Sequence, residues 1–121
     1  MAMSKSVDKN NWKCKLLMFS GRENPEWIAD ESFAKELLTY CENAGPWEQD
    51  FEIPVILGYN GIVFFNNKKI ITAFKGKMEI QTKGKTEIKT DLGRRLEIMI
   101  LKNAPEPYKE LALQQLTIDF D

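Results

Sequence analysis

Three short stretches hold the residues best suited to chemistry. "SGRENPEW" (20–27) sets Arg22, Asn24 and Trp27 around a glycine and a proline; "LGYNG" (57–61) holds Tyr59 and Asn60 between glycines; "DLGRRLE" (91–97) holds Asp91 and Arg94. Arg22 offers a planar fork of donors matched to a carboxylate or a phosphate. Asn24 both donates and accepts, Trp27 can stack on a flat ligand, and Gly21 permits close backbone approach. Asp91 stands where a helix is expected to begin, and helix N-termini favour anions. If the first loop and this helix meet at one end of a sheet, Arg22, Tyr59 and Arg94 converge on an anionic or amide-rich partner. The same residues support a competing, internal arrangement. In it Arg22 bonds Asp91 or Glu97, Pro25 and Trp27 plug the edge of the core, and Tyr59 sits half-buried in a glycine-flanked bulge.

What is missing narrows the chemistry. The 121 residues contain no histidine, which removes the Ser-His-Asp triad, the Cys-His dyad and every His-ligated metal site. Two isolated cysteines, Cys14 and Cys41, cannot build a four-thiolate site, and no D-x-D-x-D-G calcium loop occurs. No cofactor or metal is expected. Catalysis would have to run on Arg22, Tyr59 and a carboxylate such as Asp91 or Glu97. The N-terminus lacks the apolar core of a signal peptide, and no stretch approaches membrane-spanning length. A cytoplasmic protein with reduced, buried thiols is the expectation, a Cys14–Cys41 bridge being the minor alternative.

The elements that must position these residues can be read from pattern. Residues 1–11 form a polar tail expected to be disordered, and 12–121 one α+β domain. "WKCKLLMF" (12–19) alternates Trp12, Cys14 and Leu16 against Lys13 and Lys15, the mark of a strand. "EWIA" (26–29) can pair briefly as another. Asp30 or Ser32 caps a helix reaching about Asn43, with Phe33, Leu37, Leu38 and Cys41 on its apolar stripe. "WEQDFEIP" (47–54) reads as an acidic connection. A meander follows, its first strand broken by Gly58 and Gly61, and glycine inside a strand marks a bulge or a close approach. "NNKK" (66–69), "KGK" (75–77) and "KGK" (83–85) supply its turns. Met78 and Ile80 are expected to face inward, as are Thr86 and Ile88. Asp91 caps a second helix with a stripe of Leu92, Leu96, Met99 and Ile100, stopped by Ala104-Pro105. Gly93 is costly in a first helical turn, so another segment or a ligand is expected to approach it. A third helix, "PYKELALQQL" (107–116), has Tyr108, Leu111, Leu113 and Leu116 as anchors. The fold class that results is α+β: a mostly antiparallel sheet with about three helices packed on one face.

Together the three motifs resemble a group of small uncharacterised proteins with an S-G-R-x-N-P-x-W signature near the N-terminus, an L-G-Y-x-G stretch in the middle and a D-x-G-R-x-L-E-like helix start. The resemblance covers residues 14–102. It implies one compact domain and no particular activity.

Charge is unevenly spread. Residues 1–66 carry six basic and ten acidic side chains, whereas residues 67–102 carry ten basic and four acidic. The basic segment raises nucleic acid as a partner, but its lysines gather at turns, which a meander distributes to both sheet ends. Turn and edge lysines also guard against aggregation. Three functions follow, in order. The first is a non-catalytic cytoplasmic binding or adaptor domain contacting another protein. The second is a small enzyme built on Arg, Tyr and carboxylate groups, and the third a nucleic-acid-binding accessory protein. A homodimer through a sheet edge is compatible with each, and no membrane partner is expected.

Overall fold

The computed structural model describes residues 11–19, 24–48, 58–110 and 114, and of Phe19, Gly58 and Tyr59 the backbone only. Six antiparallel strands form one sheet: β1 (Trp12–Phe19), β2 (Glu26–Ala29), β3 (Gly58–Phe65), β4 (Lys69–Phe74), β5 (Lys77–Thr82) and β6 (Lys85–Thr90), in the spatial order β2-β1-β3-β4-β5-β6. Helix α1 (Glu31–Asn43) lies between β2 and β3 in sequence, and helix α2 (Arg95–Asn103) follows β6 after a short turn (Leu92–Arg94). Residues 108–110 are helical again. The α+β fold class expected from the sequence is therefore the one observed. The 1–10 tail, most of the acidic connection, and Leu111, Leu113 and Leu116 lie outside the described residues.

Alternation along β1 decides which face is inner. Trp12, Cys14 and Leu16 are buried, as are Ile62 and Phe64 on β3, Ile71 and Ala73 on β4, and Met78 and Ile80 on β5. Ala34, Leu37 and Cys41 of α1 and Leu96, Ile100 and Leu101 of α2 close over this face in one core. Each fully buried large apolar side chain stabilises by about 1.5–3 kcal/mol, and the stacked Trp12 and Phe64 rings, 4.4 Å apart, anchor the β1–β3 pair. Asp30 caps α1 by accepting from the Phe33 N–H at 2.8 Å, while Ser32 lies exposed. The helix ends as expected before Gly45-Pro46, with Ala44 in extended backbone.

The bulge expected in β3 is present. β1 advances two residues from Leu16 to Met18 while β3 advances three from Ile62 to Tyr59, so β3 carries the extra residue. Gly61 sits there at φ 108°, and a Cβ on it would stand 2.5 Å from the Ala73 carbonyl oxygen. Only glycine fits both the angle and the approach.

Three expectations fail. Ile88 pairs with Glu79 and Thr86 with Gln81, which puts both on the outer face; Ile88 is 38% exposed. Alternation in an edge strand does not say which set points inward, because two-residue turns fix the register first. Leu92 is 80% exposed, because α2 begins only at Arg95 and Leu92 belongs to the preceding turn. Tyr108, expected as an anchor, is also exposed.

The outer face carries two cross-strand rows. One runs Ile28, Lys13, Phe65, Ile70, Gln81, Thr86, and the other Glu26, Lys15, Val63, Thr72, Glu79, Ile88. Among the described residues, no helix is long and apolar enough to cross a membrane.

Candidate functional site

Asp91 directly follows β6 and is 1% exposed. Its Oδ1 accepts from the Tyr40 hydroxyl at 2.6 Å and the Leu96 N–H at 2.8 Å, and its Oδ2 from the Glu97 N–H at 3.2 Å. The cap expected at Asp91 thus exists, but acts from beyond the intervening turn. The anion that a helix N-terminus favours is supplied by the chain itself. The Asp91 N–H donates to the Gly76 carbonyl and its own carbonyl accepts from the Arg94 N–H. One residue therefore joins α1, the β4–β5 turn and the start of α2.

Arg94 and Glu97 form the second half of this cluster. Glu97 is fully buried and Arg94 7% exposed. The Arg94 Nε donates to Glu97 Oε1 at 2.8 Å, Nη2 donates to Oε2, and the Lys75 N–H adds a bond to Oε1 at 3.1 Å. The guanidinium carbon lies 5.8 Å from the Phe74 ring centroid, within cation–π range. Arg94 takes a left-handed backbone, φ 56°, a conformation costing a non-glycine residue about 1–3 kcal/mol. The bidentate pair offsets that strain. Gly93 also has φ 65°, yet nothing lies within 4 Å of where its Cβ would be. The approach expected at Gly93 is absent from the described residues; the glycine is needed for its backbone angle.

Burial, and next the hydrogen bond to Asp91, push the Tyr40 hydroxyl above the ordinary tyrosine range. Both cysteines are free and buried. Burial pushes each thiol up to about 12, Asp91 adding to the effect at Cys41, so neither is a reactive thiolate at neutral pH.

The first loop meets this cluster in none of its described residues. Arg22 lies outside them, as does the side chain of Tyr59, so the convergence of Arg22, Tyr59 and Arg94 falls there too. Asn24 turns back on its own hairpin, its Oδ1 accepting from the Met18 N–H at 2.8 Å, and the Pro25 carbonyl accepts from the Leu16 N–H. The Trp27 Nε1–H donates to Asn103 Oδ1 at 3.0 Å, tying β2 to the end of α2. Asn60 is buried in the bulged part of β3. Tyr40 was missed by sequence reasoning, although it stands seven residues after Phe33 on the apolar stripe of α1, where a polar-tipped aromatic requires a buried partner.

Two clefts are lined by other residues. One of about 230 Å³ lies between Trp12, Glu31, Ala34, Lys35 and Leu38, and another of about 460 Å³ between Lys69, Ile80, Thr82, Lys85, Thr86 and Glu87. Among the described residues, no group of three or more acidic or cysteine side chains is arranged to hold a metal ion. The turn lysines divide as the sequence implied: Lys69 and Lys85 share a cross-strand row with Thr82, and Lys77 lies at the opposite end of β5. No protein-family model, curated protein or solved structure matches this chain.

Proposed function

We propose that the chain is a non-catalytic cytoplasmic binding module that contacts another protein through the outer face of its sheet. The observation that carries this reading is the exposure of Ile28, at 66%, together with Ile70 and Ile88 on that face. Scattered apolar side chains are ordinary on a protein surface, but Ile70 adjoins the half-buried Phe65 at the centre of this face, next to Val63, with Ile28 and Ile88 on the two edge strands, and exposed apolar surface of this kind marks interaction sites. Lys13, Lys15, Glu26 and Glu79 lie among them, so the matching partner is a protein surface with apolar side chains flanked by both signs of charge. The most chemically suggestive cluster argues against the enzyme reading, because Asp91 and Glu97 are buried and spend their acceptors on the chain. The division of lysines between sheet ends argues against a nucleic-acid track.

The test places a photo-crosslinking residue at position 70 in the native host, with exposed Lys102 on α2 as the control position. A protein adduct from position 70 alone is expected. Ile70→Cys then gives a selective label, since Cys14 and Cys41 are buried and unreactive, and the purified adduct partner must shield it from alkylation. An Ile70→Cys thiol that stays equally reactive with the partner present overturns the reading.

A further inference from the structure

We infer that the occupant of the outer sheet face is a second copy of this chain, laid face to face in a twofold dimer. The inference rests on reading that face as a protein-binding surface, and identifies the partner. The midline of the strand order falls between β3 and β4. A twofold axis along that midline, parallel to the strands, lays β3 on the second copy's β4, β1 on its β5 and β2 on its β6.

Strand register turns this symmetry into a chemical test. Within one row Lys15 is joined through Val63 and Thr72 to Glu79; within the other, Phe65 adjoins Ile70. The rotation therefore sets Lys15 over Glu79 of the second copy and Phe65 over its Ile70, each twice. On the outermost strands the same register sets Ile28 over Thr86 of the second copy and Glu26 over its Ile88. The other in-plane axis, perpendicular to the strands, would lay each strand on itself and set the β1 lysines, Lys13 and Lys15, against those of the second copy, a like-charge contact that opposes association. One orientation is thus complementary in charge and apolar at its centre, as a closed isologous interface requires. Aligned packing of two such faces is the sandwich arrangement, with the inner side chains interdigitating. Six strands at about 4.8 Å spacing and about 20 Å of strand length give a flat footprint of roughly 600 Å². Stable interfaces use about 800 Å² of accessible surface per partner. The face is of comparable size.

Sedimentation velocity of the purified full chain over a wide concentration range decides the matter. The expected result is a reversible species of twice the 14.0 kDa chain mass. Glu79→Lys is expected to weaken it about tenfold, since the symmetry repeats the lost contact, and Lys15→Glu in the same chain to restore it. Ile70→Asp should abolish the dimer while thermal melting shows the monomer folded. A wild-type chain that stays monomeric at every concentration overturns the inference, as does a dimer indifferent to Ile70→Asp. These outcomes separate the two readings. A monomeric chain whose position-70 crosslink joins a different protein keeps the binding face and loses the dimer; one with no crosslink loses both.

Discussion

The corner around Asp91 and the outer face of the sheet reverse the usual distribution of residue types. In the corner, an aspartate, an arginine and a glutamate are buried and joined to one another, to Tyr40 and to backbone N–H groups. On the outer face, isoleucines stand in solvent between lysines and glutamates. Charge at the corner holds three elements together, whereas apolar side chains stand exposed on the outer face. A charged residue in a conspicuous motif is thus not evidence of chemistry until its partners are counted.

The sharpest way to break this comparison is to remove one partner of the buried pair. Glu97→Ala takes the bidentate acceptor from Arg94 and is expected to cost about 3–5 kcal/mol of stability, read as a fall in urea midpoint. Replacing both, as Arg94→Leu/Glu97→Leu, is expected to cost less than Glu97→Ala alone. If both single and double variants change stability by less than about 0.5 kcal/mol, the range of ordinary surface substitutions, the corner is not the lock described. Gly61→Ala follows in size. Its φ of 108° and the 2.5 Å approach to the Ala73 carbonyl predict a loss of about 2 kcal/mol.

Tyr40→Phe tests the link between α1 and the corner. Removing the hydroxyl from Asp91 is expected to cost about 1–2 kcal/mol. It also alters the alkaline limb of stability. Tyr40, Cys14 and Cys41 are neutral acids whose pKa values rise on folding. Their contribution is complete below the unfolded values, about 8.5 for cysteine and 10 for tyrosine, and is lost as pH rises through the folded values. Wild-type stability should therefore decline from about pH 9 upward, and Tyr40→Phe should decline less steeply above pH 10. Parallel curves would remove the tyrosine from this account. The smallest effect belongs to the outer face: Ile28→Thr should change the stability of the dilute monomer by less than about 0.5 kcal/mol, while weakening association.

Much of the frame was legible in the chain. Trp12, Cys14 and Leu16 against Lys13 and Lys15 marked β1 to its end residues, and Asp30 was one of two candidate caps for α1. Gly61 announced the bulge. Each of these signals is local: a period, a capping side chain, a φ angle. The site was less legible. Asp91 and Arg94 are among the candidate binding residues, but Tyr40 and Lys75, which supply part of their environment, lie 51 and 16 residues from Asp91 in sequence. No spacing rule connects them. The burial of Glu97, on a helix that begins three residues later than Asp91's position implied, follows from the left-handed turn at Gly93 and Arg94.

The sequence by itself determined the class of fold, the inner face of β1 and β5, and the exclusion of histidine chemistry, because periodicity and composition act residue by residue. Only the tertiary structure decided that Ile88 faces outward, that Trp27 ties β2 to α2, and that Asp91, Arg94 and Glu97 turn inward. Those outcomes depend on register and on partners far apart in the chain, and a buried charge stays where its hydrogen bonds are.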